Sequence, residues 1–120
     1  MDELIARITD SVGIDADKAI SAVGAILAFL QQEGPGDTVS AMLAAIPGAQ
    51  EAVDSASGGG VLSGMMPGVM GLGSQLMGMG LGMGEIQGVA KETIAFSKEK
   101  AGEGPVDEVI AAIPGLGQFI

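Results

Sequence analysis

The hexapeptide Leu43-Ala44-Ala45-Ile46-Pro47-Gly48 returns, with Leu replaced by Ile, as Ile110-Ala111-Ala112-Ile113-Pro114-Gly115, 67 residues later. The same offset carries the match backwards without a gap. Gly13 falls on Gly80, Ile14 on Leu81, Leu27-Ala28-Phe29 on Ile94-Ala95-Phe96, and Val39 on Val106. Self-similarity at one fixed period marks a structural unit written twice. A fold proposed for this chain must therefore be built from two like halves.

The first copy covers about residues 2–50. Leu4, Ile5, Ile8 and Val12 stand at helical spacing from Asp2 to Val12, and Gly13 breaks the pattern. Asp15 offers a side-chain oxygen to the next helix start. From Ala16 to about Gln32 an apolar stripe runs through Ala19, Ile20, Val23, Ile26, Leu27 and Leu30. Gly34-Pro35-Gly36 reads as a turn, and Asp37 as the cap of a third helix bearing Val39, Met42, Leu43 and Ile46. Pro47 then stops the chain. Its ring disfavours the α conformation for Ile46, and Gly48 supplies the positive φ of a turn.

The second copy covers about residues 69–120. Glu85 to about Lys100 reads as its long helix, with Ile86, Val89, Ala90, Thr93 and Ser97 on one stripe and Ile94 beside it. Gly104-Pro105 marks the start of its third helix, since proline is tolerated at a first helical position. Val106, Val109, Ile110 and Ile113 repeat the apolar face, and Pro114-Gly115 stops it. These patterns predict an all-α protein, a single domain over residues 1–120 made as a compact bundle of about six helices. The helices fall into two three-helix repeats related by a pseudo-twofold, with Phe29 and Phe96 at equivalent positions near the joint.

The half-unit Gly13-Ile14, Ala19, Ala22-Val23, Ile26-Leu27, Leu30 and Leu43 through Pro47 resembles small bacterial helical domains of unknown function. It is similar to the VcgC/VcgE-type family and to a second uncharacterised family of duplicated helical units ending in a Leu-Pro or Ile-Pro step. The likeness covers both repeats and implies the helical fold. It brings no catalytic or ligand residues, and it does not account for the segment between the copies.

Composition excludes more than it assigns. Hydrophobic residues make up 48% of the 120, yet only three are aromatic, all Phe. The core must come from Ala, Ile, Leu, Val and Met, and a chain this long can bury roughly two-thirds of its surface. A net charge of −10, with only Arg7, Lys18, Lys91, Lys98 and Lys100 as cations, excludes nucleic acid as a partner. A charged partner would be basic. No Cys, His, Tyr or Trp is present, which removes the thiolate, the imidazole and the phenol. Asp15 and Asp17 stand at a helix start, where capping explains them, and neither a calcium loop nor a phosphate loop is present. The reading is not an enzyme, with no catalytic residue, no cofactor and no metal. The start Met1-Asp2-Glu3-Leu4 lacks the basic and apolar runs of a signal peptide, so the expected address is cytoplasmic.

Between the copies, about residues 55–84 carry no charge and eleven glycines. Each glycine weakens a helix by about 1 kcal/mol relative to alanine, so this segment is expected to be only partly helical and held by tertiary packing. Gly58 to Gly60 reads as a hinge. Leu62, Met65, Met66, Val69, Met70, Leu76 and Met77 form the candidate interaction surface, since methionine builds adaptable contacts. The leading functional reading is a non-catalytic module for protein interaction or self-association. The alternative is a membrane-associated protein or one binding a lipid-like ligand through residues 61–83, whose uncharged length suffices for a span of about 20 residues. Pro67, Gln75 and the missing flanking cations weigh against a span. Cu(I) on Met65, Met66 and Met70 is a third reading, without His or Cys to support it.

Overall fold

Where the first apolar pattern stops, the backbone turns: Gly13 takes φ +83°, a conformation L side chains rarely adopt. The computed structural model describes residues 2–59, 68–113 and 115–119, with side chains over 2–54, 71–113 and 115–117. Gly13 separates α1 (Asp2–Val12) from α2 (Ala16–Glu33), which is followed by α3 (Gly36–Ala45) and α4 (Ala49–Gly59). After the segment beyond Gly59 come α5 (Gly68–Gly78), α6 (Met83–Ala101), α7 (Glu103–Ala112) and the single turn α8 (Leu116–Phe119). The described residues are thus all-α, and none of their helices is long and apolar enough to cross a membrane.

Backbone conformation recurs at the sequence offset. Gly13 and Gly80 have φ +83° and +94°, and Gly48 and Gly115 have +82° and +86°. Ile46 and Ile113 both leave their helices into extended backbone, at φ −103° and −107°. The starts of α2 and α6, and the ends of α3 and α7, lie one offset apart.

Several expectations need correction. The helices number more than six, because Pro47-Gly48 does not end the first unit: the chain turns there and continues directly as α4. Proline forbids continuation in the same direction, and the positive φ of Gly48 re-aims the backbone. The α4 backbone runs through Gly58 and Gly59, which were expected to form a hinge. Asp15 holds the position before α2 but makes no side-chain hydrogen bond to it. Asp37 lies inside the first turn of α3, behind Pro35. In the second copy Gly102 precedes α7, and Pro105 sits within the first turn, where its missing N–H would have no helical partner. The start of α6 is held instead by Glu85, whose carboxylate accepts the Gly82 backbone N–H at 2.8 Å.

The core is aliphatic. Leu4, Ile8, Ile26, Leu27, Leu30, Met42, Ile86 and Ile113 are fully buried together with Phe96, and Phe29 is also buried. Two hydroxyls share it: Thr93 and Ser97 donate to the Val89 and Thr93 carbonyls at 2.7 and 2.8 Å. Each satisfies itself on its own helix, which lets them occupy positions filled by Ile26 and Leu30 in the first copy.

Helix α2 packs most extensively against α4. Gly24 and Ala25 of α2 are buried, whereas one offset on α6 carries exposed Lys91 and half-buried Glu92. Both α1 and α5 pack against α2 and α6. The α1–α6 approach depends on Gly88, where an added Cβ would lie 2.7 Å from Val12 Cγ2. This opposes two effects of similar size. Alanine favours the helix by about 1 kcal/mol, while overpacking a stiff β-branched neighbour costs about 1–3 kcal/mol. Gly88→Ala alone is therefore expected to be neutral or destabilising, and in a Val12→Ala background to stabilise by about 0.5–1 kcal/mol. Urea denaturation of the four proteins reads the sign change; equal effects in both backgrounds would mean that the contact is absent.

Candidate functional site

Four separated stretches of chain meet in an open cleft of about 550 Å³. The first turns of α1 bring Asp2, Glu3 and Ile5, and α2 brings Ile20. The Pro47-Gly48 corner forms one edge and launches α4, whose first turn adds Glu51 and Ala52. The last turns of α6 close the other side with Phe96 and Lys100. Ile5, Ala52 and Phe96 are buried and form an apolar floor. Ile20, which helical spacing assigns to the core stripe, is instead 38% exposed in the cleft wall. Among the described residues it is left partly uncovered on α2.

Beside the cleft, charge is organised around one ring. The Phe96 centroid lies 5.6 Å from the Arg7 guanidinium carbon and 5.4 Å from the Lys100 ammonium, within cation–π range. Arg7 Nη2 donates to Glu3 Oε1 at 2.9 Å and to Glu99 Oε1 at 3.0 Å, and Nη1 donates to the second Glu99 oxygen. This fork ties α1 to α6 across 92 residues of chain. The hydrogen bonds from Arg7 hold the Glu99 carboxyl below its ordinary value of 4.5, and those from Glu99 first and Glu3 raise Arg7 in turn.

A carboxyl lowered on folding stabilises the fold above its unfolded pKa, and that contribution disappears as pH falls through the folded value. The urea midpoint of the native chain is thus expected to exceed that of Glu99→Gln at neutral pH, and the gap to close below about pH 4.5. Glu99 is exposed and Arg7 only half-buried, so the gap should be small and shrink with salt. A gap that persists at low pH would show that the carboxylate charge is not its source.

The methionine-rich surface read from the sequence divides. Leu62, Met65 and Met66 lie outside the described residues, as does Pro114 of the second proline stop. Val69 and Met70 are on the α5 backbone, with their side chains outside the described set. Leu76 is a correction: it is fully buried with Leu72 and Leu81, so it belongs to the core and not to a surface. Leu72 and Leu76 are four residues apart and share the inward face, whereas Met77 is rotated outward. Met77 is 51% exposed and Met83 61%, flanking the turn from α5 to α6.

Among the described residues, every buried side-chain nitrogen and oxygen has a hydrogen-bond partner, and no group of three or more acidic residues can hold a metal ion. What the cleft offers chemically is apolar contact and carboxylate acceptors, the Phe96 ring being buried beneath the chain's own Arg7 and Lys100. The sequence reading missed it because its residues recur at no spacing. No family model, no curated protein and no solved structure matches this chain.

Proposed function

We propose that the protein is a non-catalytic interaction module, and that the cleft between α1, α2, α4 and α6 is its docking surface. The observation that carries this reading is Ile20, a large apolar side chain held exposed in the wall of an open, apolar-floored cavity. A volume of about 550 Å³ lies within the usual range for ligand pockets, roughly 300–1,000 Å³. The absence of His, Cys and Tyr from the sequence supports recognition over chemistry. A photo-crosslinking residue placed at position 20 should capture a discrete partner in cells, and one at exposed Lys91 should not. No adduct at 20, or the same adduct from both positions, would reject the reading.

Self-association is a second reading, supported by Met77 and Met83, which stand exposed at the facing ends of α5 and α6. Light scattering over a dilution series should show concentration-dependent mass that Met77→Gln with Met83→Gln removes. A strict monomer at every concentration would reject it.

We also propose that the halves are related by an approximate twofold. The support is reciprocal: α1 reaches across to α6 as α5 reaches across to α2. An experimental structure in which residues 2–46 superpose on 69–113 after a rotation near a half-turn would bear this out, and a rotation far from a half-turn would not.

A further inference from the structure

The cleft's wall and floor are apolar, but its rim carries Asp2, Glu3 and Glu51 beside Lys100, with Glu3 already paired to Arg7 at 2.9 Å. The simplest account of these carboxylates is local. Each sits in a helix first turn, where negative charge offsets the helix dipole. The repeat supplies an internal control on that account. One offset away, Asp2, Glu3 and Glu51 become Val69, Met70 and Gln118. Helix α5 forms with no acidic residue in its first turn. The backbone therefore does not require the charges.

The apolar floor behaves differently under the same comparison. Ile5 becomes Leu72 and Phe96 becomes Phe29, so two of the three floor residues keep their character. Ile20 becomes Gln87, Ala52 becomes Phe119, and Lys100 becomes Glu33. The combination of an aliphatic residue at 20, a small residue at 52 and acidic residues at 2, 3 and 51 is thus not repeated in the sequence one offset on. Phe96 also shows what its face accepts, because the chain's own Arg7 and Lys100 already stand at cation–π distance from it.

From this combination we propose that the cleft binds a basic amphipathic segment of a partner protein. An aliphatic side chain of the partner seats against Ile20 and Ala52, and Lys or Arg side chains on either flank meet Asp2 and Glu51, Glu3 being held by Arg7. Charge complementarity selects this occupant. The chain's own uncharged stretch, residues 55–84, brings no cation to the rim, and an acidic or phosphorylated segment would meet the like charges of Asp2 and Glu51. A linear polyamine supplies charge but no branched apolar group for the wall. The proposal rests on reading the cleft as the docking surface, and its test separates the two.

The probe is an acetylated, amidated heptapeptide, Lys-Leu-Lys-Lys-Leu-Leu-Lys, titrated into the full chain at about 0.15 M salt to damp long-range attraction. Amide shifts are expected at Ile20, Glu51, Ala52 and Lys100. Replacing every Leu of the peptide by Ala should weaken binding about tenfold, the worth of one buried aliphatic side chain. Replacing every Lys by Gln should weaken it about fivefold. Ile20→Gln with Glu51→Gln, which copies the residues of the second half at exposed positions, should reproduce the combined loss with an unchanged circular dichroism spectrum.

A Gln peptide that binds as well as the Lys peptide would overturn the basic class while leaving the cleft as a docking surface. An Ala peptide or spermidine that binds as well would reduce the interaction to charge alone and overturn the proposal. Binding by no peptide, or shifts away from the cleft, would overturn both readings. The peptide series gives these outcomes even where a variant fails to fold.

Discussion

Leu76→Ala is expected to lower the unfolding free energy by about 2–5 kcal/mol, and Met77→Ala, one residue on, by less than about 0.5 kcal/mol. The contrast follows from burial. Leu76 is fully enclosed, so truncation removes its transfer energy and leaves a cavity that the neighbours fill only partly. Met77 is 51% exposed and leaves no hole. A domain of this size has a total stability of about 5–15 kcal/mol. The Leu76 variant is therefore expected to be marginal. Urea denaturation with an unchanged m-value would assign the difference to the folded state. Equal, small effects at both positions would place Leu76 on the surface after all.

The second large effect is expected at Gly34, where three helices converge. A Cβ there would lie 2.8 Å from the Leu30 carbonyl oxygen, 2.9 Å from Val39 Cγ2 and 3.3 Å from Val109 Cγ1. The first contact is decisive, because Leu30 O already accepts the Gly34 N–H at 2.8 Å and belongs to backbone that cannot swing away. The two valines anchor α3 and α7, so relief would have to move one helix. Gly34→Ala is expected to cost about 1–3 kcal/mol, read as a fall in urea midpoint. Residue 101, one offset on, is an alanine without difficulty because α6 is still helical there, whereas Gly34 has already left the helix. If Gly34→Ala proved neutral, the convergence would be looser than these distances require.

Much of this architecture could be read from residue order because it is local. The bounds of α1 follow from Leu4, Ile5, Ile8 and the break at Gly13, and α2 and α6 follow from equally dense stripes. Helix α4 was not read, although Ala49, Ala52, Val53 and Ala56 do stand at helical spacing. Small side chains give a faint pattern, and the Pro-Gly corner before them looks like an end. Ala49 and Ala52 are small and buried, which lets α4 lie closely along α2.

The exposure of Ile20 and the burial of Leu76 were not legible for a different reason. Each is decided by what lies across from it, and spacing along one helix says nothing of that. The cleft is the extreme case, drawing on residues 2–5, 20, 47–52 and 96–100. One trace of it was nonetheless present in the sequence. Comparing the copies for charge as well as likeness finds Asp2, Glu3 and Glu51 among the seven acidic positions that become uncharged at the offset.

The reach of α1 across to α6 also imposes an order on synthesis. Translation delivers Leu4, Ile5 and Ile8 first, and part of the surface that covers them last. At about 5–20 residues per second, the nascent helix waits roughly 5–20 seconds before residues 86–101 emerge to meet it. During that interval α1 is a sticky, half-shielded leader whose apolar side is open to chaperones and proteases. Chains arrested before residue 86 should be cut at Arg7 far faster than released ones. Its Glu99 partner is made only after α6 is nearly complete. Arg7 thus finds its α6 partner only after α1 has already been made and folded against α2.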